Sequence, residues 1–340
     1  MKSSSGSVVC FGELLMRLSP SRNELLLQSP SLQVHFGGAE ANVAASLAIL
    51  GDRSTMVSTL PDNALGRACI GELKRLGVDT AIRFADGRMG VYFLSPGAMH
   101  RPADVLYDRA DSAFARASAD RYDWPNLLSG ARWLHLSGIN LALCNATAEA
   151  AWAAVEAARQ RDIPISFDCN YRSKLWGDRA SDAPDILSRI AAEADVLIGN
   201  DRDIALMRGT TFAHDQAEQR FAAAADVAFA TWPRLRCMVA TERLHENADH
   251  QEVRGLCATR TGVTRTRSCA LHGIVDRIGT GDAFTAGFLH RLLADAPAEQ
   301  ALEFAFAAFC LKHSVPGDVN LLGEEDITRF LAGEHFDVRR

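Results

Sequence analysis

Short apolar runs and alanine-rich amphipathic stretches take turns along most of this 340-residue chain, and that alternation limits what it can fold into more than any other feature. VVCFG (8–12) has the length and composition of an interior strand, and EANVAASLAIL (40–50) is a helix stopped by Gly51. TMVSTL is the next strand and ALGRACIGELKRLG the next helix, closed by Gly77. The series resumes with RWLHLSG, ATAEAAWAAVEAARQR, PISFDCN (164–170), APDILSRIAAEA, VLIGN (196–200) and, after a further helix, CMVATE (237–242). Strands separated by crossover helices cannot pair as hairpins, so the pattern predicts an α/β fold: a doubly wound, mainly parallel sheet flanked by helices. Ligands collect at the carboxyl ends of such strands. That rim is where SGIN, DCNYR, GNDRD and ATER fall.

Two stretches break the alternation. Residues 14–36 and 88–110 carry strand-like pieces joined by Pro, Gly and Ser turns, with no helix between them. They read as two antiparallel excursions that together form a small β lid over the rim. The lid is inserted into a main domain made of residues 1–13, 37–87 and 111–340. Strand-rich inserts expose sheet edges that a second copy can cover, so a homodimer through the lids is expected.

Composition excludes several classes. Thirty-six basic against 42 acidic residues give a net charge of −6 without a long basic run, which argues against a nucleic-acid surface. No stretch reaches the ~18 apolar residues of a membrane helix, and the opening MKSSSGSVVCFGE is too briefly apolar for a signal peptide. The eight cysteines are scattered without a CxxC pair, as expected of reduced, packed thiols in a cytoplasmic protein. His245 and His250 in HENADH lack the spacing of a metal helix and read as solvated loop histidines.

The chemistry concentrates in DRIGTGDAF (276–284). Phe284, Phe288 and Leu292 follow at helical spacing, so Gly279 and Gly281 lie at a helix N-terminus, where unpaired amides and the dipole favour an anion. Asp282 falls in the first turn, where that field keeps a carboxylate ionised. A carboxylate beside an anion cradle is repelled by the anion. Its useful task is to take the proton from a hydroxyl attacking that phosphorus. The combination reads as phosphoryl transfer to an alcohol. It is not a Walker-type loop, and no G-x-G-x-x-G follows the first strand as a dehydrogenase would require.

DRIGTGDAFTAGF resembles a signature of the ribokinase-like (PfkB) sugar kinases, and FGGAEANVAASLAILG (36–51) is similar to that family's second signature. The likeness covers essentially the whole chain in order, lid segments included. It implies the ribokinase-like fold, with Asp282 as base and Gly279, Thr280 and Gly281 as the anion hole for the γ-phosphate of ATP. It also implies Mg2+ held largely through the nucleotide's phosphates. Asn200-Asp201-Arg202-Asp203 stands where the family has Asn-x-x-Glu, so Asp203 either reaches the metal or caps the helix after VLIGN.

GGAEANVA, GVYFL, VLYDRADSAF, DCNYRSKLW and VPGDVN look most like the family members that phosphorylate 2-keto-3-deoxygluconate, a sugar acid. By matching residues, Gly37 and Gly38 approach the substrate closely, and Tyr92, Tyr107 and Arg109 grip its acid end from the lid. Arg172 contacts substrate or phosphate, Asp318 holds a substrate hydroxyl, and Asn42, on the first turn of its helix, is a further substrate contact. The structural alternatives are a turn at Gly37-Gly38, lid packing for the tyrosines, ion pairs for the arginines and a helix-end bond for Asn42. Nucleotide contacts are assigned to Asn170, Asn200, Thr241, Arg243, Gly279, Gly281 and Asn320. Where many family members carry a short Gly-x-x-Gly turn, this chain has the longer, polar ATERLHENADHQEVRG (240–255), and Arg277 replaces a common threonine. A kinase of a neutral sugar such as fructose or ribose is the nearest alternative; a non-catalytic sugar or nucleotide sensor is the next.

Overall fold

In a computed structural model, residues 6–21, 23–245, 248 and 250–333 are described. Fourteen strands follow in chain order: β1 (Ser7–Phe11), β2 (Leu15–Ser19), β3 (Gln33–Gly37), β4 (Ser54–Pro61), β5 (Asp79–Ala85), β6 (Gly90–Ser95), β7 (Asp104–Asp108), β8 (Ala131–Ser137), β9 (Ile165–Asp168), β10 (Val196–Ile198), β11 (Cys237–His245), β12 (His250–Thr259), β13 (Gly262–Arg265) and β14 (Cys269–His272). Ten form one sheet in the order β13-β12-β11-β10-β9-β8-β1-β4-β5, with β14 paired to β12. From β11 to β5 every pairing is parallel.

Both faces of that sheet are buried, which is why its strands read as continuous apolar runs rather than alternating ones. Val9 and Phe11 of β1 join the layer holding the helices Asn145–Arg159, Ala183–Ala191 and Ala217–Thr231. Val8 and Cys10 point the other way, into the layer of Ala39–Ile49, Ala64–Arg75, Thr280–Leu293 and Ala298–Lys312. Phe11 anchors the first layer, its ring 5.4, 5.0 and 4.9 Å from those of Phe114, Tyr122 and Trp124. In the second layer Gly287 lets one helix lie directly against Ala305 of the next.

Two features of the sheet depart from the sequence reading. The stretch after CMVATE is not a turn: β11 runs on to His245 and pairs antiparallel with β12. Thr241 and Arg243 therefore sit within a strand. β5 was hidden because it is an edge strand of mixed, half-exposed residues and lacks an apolar period.

The lid strands form a separate sheet in the order β3-β2-β6-β7. Each excursion is antiparallel within itself, as expected, and β2 and β6 join the two in parallel. Register assigns the faces. One rung reads His35–Arg17–Tyr92–Tyr107, the face turned to the rim; the next reads Val34–Leu18–Phe93–Leu106, turned away from it. Val34 and Leu106 are exposed. The eight cysteines are all free, and no helix among the described residues is long and apolar enough to cross a membrane.

Candidate active site

The helix Thr280–Leu293 begins where Gly279 takes φ 75°, a left-handed conformation open to glycine at little cost. A Cβ there would also overlap the Asp318 carbonyl. The turn delivers Asp282 into the helix's first turn, at a cavity of about 440 Å³ between the rim and the lid. Gly279, Thr280 and Gly281 line it, with Gly38, Asn42, Tyr92, Tyr107, Arg109, Asn170, Arg172, Arg243 and Asp318 around them. The residues picked out at opposite ends of the chain therefore converge.

Asn42 donates from Nδ2 to Oδ2 of Asp282 at 2.7 Å, so its bond is to the proposed base and not to its own helix end. Gly38 caps that helix at φ 149°, where a side chain would overlap the Glu13 carbonyl. Gly37 is packed against the Asp318 side chain and does not line the cavity. Burial pushes the Asp282 carboxyl up to about 6, with Asp318 adding to the rise and the Asn42 bond opposing it. The helix field alone suggested a fully ionised carboxylate. Enclosure in protein opposes that field, though the group remains mostly ionised at neutral pH.

Arg17 of β2 was missed, because an arginine inside a short strand carries no sequence signal. It is buried and spans to Asp276 at 2.7 Å and Asp318 at 3.0 Å, tying the lid to both loops that shape the cavity. Tyr92 donates its hydroxyl to the same Asp318 carboxylate, and Tyr107 lies beside it at 5.9 Å between rings. Lys312, buried, donates to the Val315 and Gly317 carbonyls, each at 2.9 Å, fixing the loop that carries Asp318. Asp318 thus arrives already bonded on two sides.

Arg109 departs from the expected acid grip. Its Nε and Nη2 are held by the Glu13 carboxylate, the Nε bond measuring 2.8 Å, and Ser112 donates to the other Glu13 oxygen. This is a buried ion pair, not a surface one, and of the guanidinium nitrogens only Nη1 is not bonded to Glu13 among the described residues. Arg172 is the freer cation: exposed, with Nε donating to Asn170 Oδ1 at 3.0 Å and no carboxylate in ion-pair range among the described residues. Asn170, held at φ 37°, sits on this side of the site with Arg172 and Asp168.

A second cavity of about 490 Å³, which shares Arg243 and Arg277 with the first, is lined also by Asn200, Arg202, Thr241 and Glu242. Asn200 and Thr241 are among its lining residues. Asn320 lines neither cavity: it is buried, bonding the backbone of Leu322 in both directions. Asp203 lines neither as well. Its Oδ2 accepts the Asn200 amide at 2.8 Å in a reciprocal cap, and burial raises it to about 6. The capping alternative describes Asp203; its side chain is too short to do that and reach outward.

Two acids went unnoticed in the sequence. Glu40 lines the cavity deeply buried, accepts from Asn140 Nδ2 at 3.1 Å and is pushed by burial up to about 7. Asp168, at the end of β9, is raised by burial and by the charges of Asp282 and Asp203. Among the described residues no three His, Cys, Asp or Glu side chains converge to hold a metal. The side chain of His245 lies outside the described residues, and His250 packs on His272.

Comparison with known proteins gives a consistent picture. The chain matches the pfkB family of carbohydrate kinases at residues 5–231 and 254–321. A 2-dehydro-3-deoxygalactonokinase of Haloferax volcanii is 34% identical over 338 residues, 99% of this chain and 100% of that one. A 2-dehydro-3-deoxygluconokinase of Thermoproteus tenax is 27% identical, over 92% of this chain and 90% of the other. The crystal structure of 2-dehydro-3-deoxygluconokinase from Thermotoga maritima superposes with a TM-score of 0.92 at 35% identity, covering 96% of this chain and 100% of that one.

Proposed function

Because this chain belongs to the pfkB family of carbohydrate kinases, we propose that it transfers the γ-phosphate of ATP to the terminal hydroxyl of 2-keto-3-deoxygluconate. The observation that carries this reading is Asp282: a carboxylate poised near neutrality beside a glycine-lined helix N-terminus, at a cavity with a second one behind it. Asp282 accepts the hydroxyl proton as the oxygen attacks phosphorus. The amides after Gly279 receive the charge that develops on the transferring group. Asn42 aims the base.

An acid substrate is favoured by charge. Arg172 lines the first cavity only, with no carboxylate in ion-pair range among the described residues, a cationic donor that a neutral sugar does not require. Arg172, with Nη1 of Arg109 and Tyr107, receives the carboxylate end, while Tyr92 keeps its hydroxyl proton on Asp318 and Asp318 accepts from a substrate hydroxyl. Thr241 and Asn200 line the space for the nucleoside. A Mg2+ ion would fit this donor set only as a cation carried on the phosphates, with the cavity-lining Asp168 a carboxylate that could help hold it, since Asp203 is spent on its helix. Such an ion supplies neutralisation of the β- and γ-phosphate oxygens.

The lid, residues 14–36 and 88–110, closes over the sugar acid, and its outward rung of Val34, Leu18, Phe93 and Leu106 is the apolar face through which two copies pair. Light scattering at micromolar concentration should give twice the chain mass of 36.9 kDa; a single-chain mass removes the dimer. A coupled ADP-release assay should show turnover with the 2-keto-3-deoxy acids of gluconate or galactonate well above that with fructose or ribose. Preference for a neutral sugar would defeat the substrate assignment. With Asp282 raised to about 6, log kcat/KM should climb with unit slope below that pH and flatten above it, because only the ionised carboxylate takes a proton. A profile flat from pH 5 to 7 would remove Asp282 as the base.

A further inference from the structure

Arg243 and Arg277 are two guanidiniums brought together with no carboxylate in ion-pair range of either among the described residues. Their charges repel, and burial compounds the cost: Arg243 is drawn down to about 10, first by desolvation and then by Arg277. Even so, it stays protonated at neutral pH. Arg243 lies over the Phe309 ring at 5.2 Å and donates from Nη2 toward the Thr280 hydroxyl at 3.5 Å. Thr280 in turn donates to the Arg277 backbone carbonyl at 3.0 Å, so the Arg243 guanidinium and the Arg277 backbone meet at one hydroxyl of the glycine turn. His313, packed on Phe309, is pushed down to about 3 by burial and then by Arg243, a further sign of uncompensated positive potential.

Position identifies the missing counter-ion. Tyr92, Tyr107, Arg109 and Arg172 line only the first cavity, and Asn200 and Thr241 only the second; Arg243 and Arg277 line both. The one group that must cross from a nucleotide to a sugar hydroxyl is the phosphoryl group. Residues 232–253, which bring Arg243, are also the stretch that falls between the two family matches.

We propose that Arg243 and Arg277 form a two-guanidinium clamp on the phosphoryl group in transfer, beyond the glycine turn. The proposal rests on the kinase reading above. In the step, the sugar hydroxyl oxygen bonds to the γ-phosphorus and its proton passes to Asp282. The bond from that phosphorus to the β,γ-bridging oxygen breaks, and its electron pair leaves with ADP. The clamp holds the equatorial oxygens throughout, where fork-shaped donors match their geometry.

The test compares binding of ADP and of the β,γ-imido analogue of ATP by calorimetry, without sugar, in wild type, Arg243→Ala, Arg243→Lys and the more exposed Arg277→Gln. The clamp predicts that Arg243→Ala and Arg277→Gln weaken the analogue by about tenfold or more while ADP changes less than about threefold, with Arg243→Lys between. kcat should fall about 10²–10³-fold in Arg243→Ala with the sugar-acid KM little changed. Equal weakening of ADP and analogue, or no weakening of either, overturns the clamp. So does a rise in sugar-acid KM alone, which would assign the pair to the substrate carboxylate. The binding arm needs no turnover, so absence of kinase activity in the wild type would count against the parent reading and leave this result standing.

Discussion

The left-handed turn at Gly279 is the constraint on which the site depends. Without a Cβ the backbone passes against the Asp318 carbonyl, and the following helix starts at the cavity wall instead of a residue or two away. Phe284, Phe288 and Leu289, buried between the sheet and the neighbouring helix, hold that start in place. Three consequences share this origin: a helix N-terminus that opens on the cavity, Asp282 in its first turn, and Thr280 within reach of Arg243.

Charge organises what surrounds the turn. Arg17 takes up Asp276 and Asp318, Glu13 takes up Arg109, and the Asn200–Asp203 cap closes on itself. What those pairings leave over is one poised carboxylate with Glu40 and Asp168 near it, facing three arginines with no carboxylate in ion-pair range among the described residues. A site with its internal charges so sorted is matched to substrates that arrive with negative groups at two places. A sugar acid and a nucleotide meet that description together.

The strands and helices of the parallel core were legible because burial on both faces writes itself into composition, as in VVCFG and EANVAASLAIL. Glycines before a helix and an aspartate after them were legible for the same kind of reason: few other functions need that order. Pairings between distant residues were not. Nothing near Arg109 announces Glu13, 96 positions away, and nothing near Arg17 announces Asp318, 301 positions away. Asp203 and Asn320 show the opposite failure, since motif position suggested an outward role where local backbone bonding claims the side chain. The long β11–β12 hairpin escaped because its polar outer stretch carries no period that distinguishes strand from turn.

The central claim is that Asp282 serves as base and not as a binding group. Replacing it by asparagine keeps its shape and its place beside Asn42 while removing the proton acceptor. Measured side by side, turnover of Asp282→Asn should fall roughly 10²–10⁴-fold, with the Kd for nucleotide held within about threefold. An asparagine variant that turns over at the wild-type rate would contradict the account.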